Sequence, residues 1–143
     1  MAEFGQLVVF SLQDLRLSLP TREVVEIIRP RAITPIPGTL PHIAGIINLR
    51  GNVIPVVHLS VLCGLAPGDL GAKSRIVVVA MKGERIGLIV DDVIRVATAS
   101  EEQPDAVPEM PGFLQRTSFR GFVNGEGSII GVLHLEPILL QTH

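Results

Sequence analysis

The stretch "INLRGNVIPVVHL", Ile47 to Leu59, sets a single arginine beside Gly51 and Asn52, between two apolar runs. The same pattern returns near the C-terminus as "FVNGEGSIIGVLHL", Phe122 to Leu135. Gly and Asn side by side favour a turn, because both tolerate the left-handed backbone region. The Val- and Ile-rich runs around them are of strand length. Gly51-Asn52 therefore reads as a tight turn feeding a core strand, and the later copy as the same unit used again. In that copy an acid, Glu126, stands where Arg50 stood.

Working outward, the repeat extends through most of the chain. A shift of 69 lays Leu7–Ile27 on Ile76–Val96 without a gap, and a shift of 76 lays Ile43–Leu62 on Phe119–Ile138. In the second block Gly45 meets Gly121, Asn48 meets Asn124, Gly51 meets Gly127, Val56 meets Val132, His58 meets His134 and Leu59 meets Leu135. The blocks keep the same order in both halves, approximately residues 6–65 and 74–140 of a single domain spanning 1–143. Neither half is long enough to enclose a solid core, so two related halves are expected to bury their apolar faces on each other. That predicts a pseudo-twofold molecule of two small β lobes around one hydrophobic seam.

Local patterns agree with a mostly β chain. "LVVFSL" (Leu7–Leu12) and "LRLSLP" (Leu15–Pro20) flank Gln13-Asp14, and "RIVVVAM" and "RIGLIV" flank Lys82-Gly83-Glu84, both hairpin signatures. Leu15, Leu17 and Leu19 alternate with Arg16 and Ser18, the period of a half-buried strand. Short helical turns are expected at "LSVLCG" and "EPILL". Four prolines between Arg29 and Pro41 make that connection a stiff, irregular crossing. The acids Glu101, Glu102 and Asp105 in the other connection read as a solvated face.

Composition removes several function classes. Net charge is −2 with 12 scattered basic residues, and Trp and Tyr are absent. A nucleic-acid binder needs a basic stripe or aromatic stacking platforms, so that role is disfavoured. Mean hydropathy is +0.46, yet the longest clean apolar runs are "IVVVAM" and "VIPVV", far short of the roughly 18 residues a spanning helix requires. "MAEFGQ" shows no secretory pattern, and a cytoplasmic, non-inserting protein is expected. Cys63 is the single cysteine and reads as a small buried hydrophobe.

No phosphate loop or nucleophile elbow occurs, and no catalytic residue, metal or cofactor is assigned. Asp91-Asp92 follows a strand and reads as an acidic turn before it reads as a base or metal ligand. His58 and His134 occupy equivalent positions and could meet across a twofold to hold a metal. The plainer account is that duplication copied one edge-of-core histidine. Within "TREVVEIIR" (Thr21–Arg29), Glu23 and Glu26 interrupt an apolar run, and Glu26 and Arg50 are candidates for a bidentate pair. Such a pair would shape a docking surface more than it would stabilise the chain.

Taken in order, "VVEIIRP", the Pro-rich crossing, "IAGIINLRGNVIPVVHL", "GLIVDDVIRV" and "RGFVNGEGSIIGVLHLEPIL" resemble the CheW family of bacterial chemotaxis coupling proteins, from about Gln6 to Leu140. The most specific piece is G-x-x-N-L-R-G followed by an apolar strand containing proline. The resemblance implies two five-stranded β-barrel lobes, similar to SH3 or OB folds, and no catalysis. It implies an adaptor, monomeric when isolated, that joins the regulatory domain of a CheA-type histidine kinase to the cytoplasmic tip of chemoreceptors. Carried across, the receptor-facing positions are Val24, Glu26, Gly45, Arg50 and Gly51, and the kinase contact falls on strand-end residues such as Ile89, Val90 and Val93. His58 departs from the family pattern, where an acid is common. Other readings remain: a CheW-like scaffold of a pilus-motility or other kinase pathway, a small β-barrel ligand or nucleic-acid binder, and a metal enzyme built on His58, His134 and Asp91 or Asp92.

Overall fold

A computed structural model describes residues 5–66, 70–98, 119–125 and 128–140. Glu126, Gly127, His143 and the acids Glu101, Glu102 and Asp105 lie outside the described residues. Ten strands and two short helices follow one another: β1 (Gln6–Leu12), β2 (Leu15–Pro20), a single 3₁₀ turn (Thr21–Glu23), β3 (Val24–Ile28), β4 (Ile43–Leu49), β5 (Asn52–His58), α1 (Leu59–Leu62), β6 (Arg75–Met81), β7 (Glu84–Val90), β8 (Asp92–Thr98), β9 (Phe119–Gly125), β10 (Ser128–Leu133) and α2 (Leu135–Leu140). The hairpins at Gln13-Asp14 and Lys82-Gly83 and both helical turns fall where the sequence puts them.

The strands form two five-stranded sheets, ordered β8-β1-β2-β10-β9 and β3-β6-β7-β5-β4. Shifting by 69 turns β1, β2 and β3 into β6, β7 and β8, and shifting by 76 turns β4 and β5 into β9 and β10. Applied to the first sheet, these equivalences reproduce the order of the second. The lobes, however, are not the sequence halves. Each sheet takes a hairpin from one half and three strands from the other, so the halves exchange strands. The reason lies in the connections: the turn at Thr21–Glu23 carries the chain from β2 in one sheet to β3 in the other.

Strand alternation then feeds three apolar clusters. Leu7 and Val9 of β1 enter the interior of the first lobe with Val123, Ile130 and Val132. Their equivalents Ile76 and Val78 of β6 enter the second with Ile47, Ile54 and Val56. The opposite faces of both hairpins meet in the seam, where Phe10, Leu17 and Leu19 pack with Val77, Val79 and Leu88. Phe119 and Phe122 join them, their ring centroids 4.7 Å apart. Two ion pairs also link chain segments across the molecule, Arg120 to Glu23 at 2.6 Å and Lys82 to Glu136 at 3.0 Å.

The Pro-rich crossing covers the outer edge of β4, an edge that would otherwise expose its backbone. Thr34 and Ile46 exchange two backbone hydrogen bonds, each 2.9 Å. Gly45 allows this approach. Its φ is +147°, and a Cβ there would lie 2.2 Å from the Thr34 carbonyl oxygen. Gly45→Ala is expected to shift the denaturation midpoint downward by about 1–3 kcal/mol of stability, because backbone rather than a flexible side chain must yield. A denaturant titration checks this, and an unchanged midpoint would show that the crossing is not held here.

Candidate functional site

The β4–β5 hairpin decides where Arg50 points. Leu49 pairs with Asn52, so the two turn residues are Arg50 and Gly51, not the Gly51-Asn52 expected from sequence. Both have positive φ, 53° and 84°. Two-residue hairpins select such turns because their twist matches that of the strands, and this moves Asn52 into β5. Asn48 stabilises the turn, its Oδ1 accepting the Gly51 N–H at 3.0 Å. The arginine is thereby held at the tip of the hairpin in a conformation most side chains avoid.

Glu26 comes from β3, at the opposite edge of the same sheet. Arg50 Nη1 donates to Glu26 Oε2 and Nη2 donates to Oε1 at 2.9 Å, the bidentate pair anticipated from the sequence. What the sequence did not reveal is that the pair spans the two edges of a curled five-stranded sheet. Ile28, two residues along β3, packs on the interior of that lobe, so the ion pair lies over the rim of the core. The Arg50 guanidinium beside it holds the Glu26 carboxyl below the usual carboxylate range against a smaller opposing effect of desolvation, and Arg85 and Arg31 act in the same direction as Arg50. Arg50 is 69% exposed and Glu26 21%. A pair so open to water is screened by salt, and its contribution is geometric: it fixes one edge against the other.

Beside this clasp runs a shallow cleft of about 380 Å³, between the crossing and the hairpin, lined by Arg31, Ala32, Thr34, Ile46, Asn48 and Val53. Arg31 Nη1 donates to the Asn48 carbonyl at 3.2 Å. Val53 is 64% exposed. The remaining expected positions divide. Gly51 belongs to the turn, Gly45 is buried under the crossing, and Val24 is half-buried against the seam. Ile89 and Val90 are 8% and 0% exposed, and their area is already taken up by the core. Of the expected kinase-facing set, two members thus lie on β7, which pairs in parallel with β5, and the third, Val93, is half-buried. Arg31 and Val53 were missed, because nothing local marks them and only the fold of the crossing against the β4–β5 hairpin brings them into one cleft.

The chemistry-bearing residues of the rival readings have structural employment. Asp91 Oδ2 accepts the Gln13 N–H at 2.6 Å, and its own N–H donates to Ser11 O at 3.0 Å, so it anchors the first hairpin. The His58 N–H donates to the His42 carbonyl at 2.7 Å, and burial lowers the pKa of both imidazoles. Among the described residues, no three His, Cys, Asp or Glu side chains gather in a way that could hold a metal. Burial pushes the Cys63 thiol up to about 12, which leaves no thiolate at neutral pH.

Comparison with known proteins gives a consistent picture. A family model described as the CheW-like domain matches residues 6–142. The chain is 29% identical over 137 residues to a probable chemotaxis protein CheW of Rhizobium etli, covering 96% of this chain and 88% of that one. It is 30% identical over 130 residues to the chemotaxis protein CheW of Thermotoga maritima, covering 91% and 84%. Among solved structures, the scaffolding protein TtCheW of Thermoanaerobacter tengcongensis superposes with a TM-score of 0.81 at 33% identity, covering 96% of this chain and 88% of that one.

The clasp has a titration signature. A carboxyl whose folded pKa is depressed contributes stability above its unfolded value, lost as pH falls through the folded value. NMR titration of Glu26 is therefore expected to give a midpoint below 4.5, moving up toward 4.5 in Arg50→Gln. A Glu26 midpoint indifferent to that substitution would remove the ion pair from solution.

Proposed function

The chain belongs to the CheW-like domain family, and from that premise we propose that it is a non-enzymatic adaptor coupling a CheA-type histidine kinase to chemoreceptors in chemotactic signalling. The names of the Rhizobium and Thermotoga relatives, matched over more than nine-tenths of this chain, support a chemotactic over a pilus-motility output. The observation that carries the docking role is the Glu26–Arg50 clasp beside an open, shallow, largely apolar cleft. Shallow apolar grooves accept the face of an amphipathic helix, and a receptor tip is assigned to it here, with Val24, Glu26, Gly45, Arg50 and Gly51 as its frame. Val24, Gly45 and Gly51 shape the strands and the turn, and the charged pair meets the partner.

The adaptor works as one domain, residues 1–143, whose repeat halves 6–65 and 74–140 are interlaced. The kinase's regulatory domain docks on a separate surface near Val93. Contacts this small, below roughly 1,200 Å² in total, are serviceable when many copies act together, since linked sites raise effective concentration. No helix of the described residues is long and apolar enough to cross a membrane. A cytoplasmic position, held near the membrane by receptors, follows from the proposed partners.

Arg50→Glu places two carboxylates opposite each other and opens the clasp. The expected result is a folded protein, with unchanged circular dichroism, that recovers much less receptor cytoplasmic tip in a pull-down. Wild-type recovery would sink the role assigned to Arg50.

A further inference from the structure

One layer of the second lobe, away from the clasp, mixes apolar and titratable side chains. Ile28 pairs with Ile76, Ile76 with Ile89 and Ile89 with His58. The His58 N–H donates to the His42 carbonyl at 2.7 Å, which continues the Ile43–Val57 register by one residue. The layer thus takes one residue from each strand in sheet order, the last, His42, standing immediately before β4. Residues opposite each other on neighbouring strands face the same side. Ile28, Ile76 and Ile89 belong to the interior cluster of this lobe, so the register sets both histidines on the interior side, next to each other.

Among the described residues, the charged groups of the surrounding elements are engaged elsewhere or exposed. Glu26 lies one position further along the same face of β3 and is held by Arg50. Arg85 is exposed near the far end of β7. Arg75, before Ile76, donates to the Ala72 and Ser74 carbonyls, and Asp91 accepts the Gln13 N–H. Arg31 of the crossing reaches the Asn48 carbonyl, Arg29 is exposed, and α1 has no charged residue. His42 is 9% exposed and His58 half-buried, and burial lowers the pKa of both imidazoles with no neighbouring charge to oppose it. An imidazolium here would meet isoleucine side chains and a second imidazole instead of a counter-ion.

The Pro-rich crossing leaves this layer at Ile28 and returns to it at His42. His58 is fixed in the ladder between β4 and β7, whereas His42 ends a segment that is tied to β4 further back, by the Thr34–Ile46 bonds. A charged His42 reaches water by swinging outward with that segment. We propose that His42 and His58 form an acid-sensitive latch: neutral, they close the base of the lobe and hold the return end of the crossing; protonated, they release it and uncover the edge of β4. The contribution of the closed latch is fully present above the unfolded histidine value of 6.5 and is lost as pH falls from there through the lower folded values.

Amide hydrogen exchange on the whole chain, corrected for the intrinsic pH dependence of exchange, tests it. From about pH 7.5 to about pH 5.5, protection of the His58, Thr34 and Ile46 amides is expected to fall about tenfold, while the amides of β6 and β7 keep theirs. His42→Phe, which fills the layer with an apolar ring, should remove most of that fall. His42→Arg, charged throughout, should lack protection at the same three amides at both pH values, with β6 and β7 still protected. Constant protection in the wild type across this range, or an equal fall in His42→Phe, would overturn the latch. A parallel fall in β6 and β7 would make the transition a global acid unfolding and would overturn it as well.

Discussion

The structure depends on one constraint: the central strands must bury both of their faces. In β1, Leu7 and Val9 fill a lobe interior while Phe10 and Leu12, on the other face, fill the seam. In β6, Ile76 and Val78 do the first and Val77 and Val79 the second. A sheet covered on one side would leave Phe10, Leu17, Val77 and Leu88 in water, and at roughly 1.5–3 kcal/mol for each large side chain the loss would be comparable to the whole stability of an ordinary domain. Neither lobe can therefore exist without the other.

Strand exchange makes that dependence covalent as well as energetic. Each lobe is completed by strands from the other half of the sequence, so the seam cannot open by simple separation of two independent units. The outer edges are treated differently from the centre. The crossing covers β4 through Thr34, and the Glu26–Arg50 pair fastens the far edge to the tip of the β4–β5 hairpin. A docking face built on that rim inherits its rigidity from the core beneath, although the ion pair itself adds little to stability. In sequence the duplication departs from symmetry at these positions: the repeat counterparts of Glu26 and Arg50 are Arg95 and Glu126, with the charges reversed. The scaffold is shared while the charges set on it differ.

Much of this was legible beforehand. The alternation in "LRLSLP", the Gly-containing turns and the self-similarity of "INLRGNVIPVVHL" and "FVNGEGSIIGVLHL" specify local geometry through periods of two and through positive φ, both of which are properties of short segments. The Glu26–Arg50 pair could be suspected because a carboxylate and a guanidinium interrupting apolar runs seek each other. The turn was misplaced by one residue because Gly51-Asn52 and Arg50-Gly51 are both acceptable chemistry, and strand twist chose between them. The burial of Ile89 and Val90 was not legible, because an apolar strand end looks the same in sequence whether solvent or a parallel neighbour lies beside it.

The sequence by itself determined that this is a duplicated, mostly β chain whose halves share an apolar seam, and that Arg50 has no arginine counterpart in the repeat. Those are statements about spacing along the chain. Tertiary structure alone decided that the halves exchange strands, that Glu26 and Arg50 belong to opposite ends of one sheet's strand order, and that Arg31 and Val53 line one cleft. These residues are far apart in sequence, and their proximity depends on which strand each hairpin joins. That choice is made by burial of the whole seam and not by any segment within it.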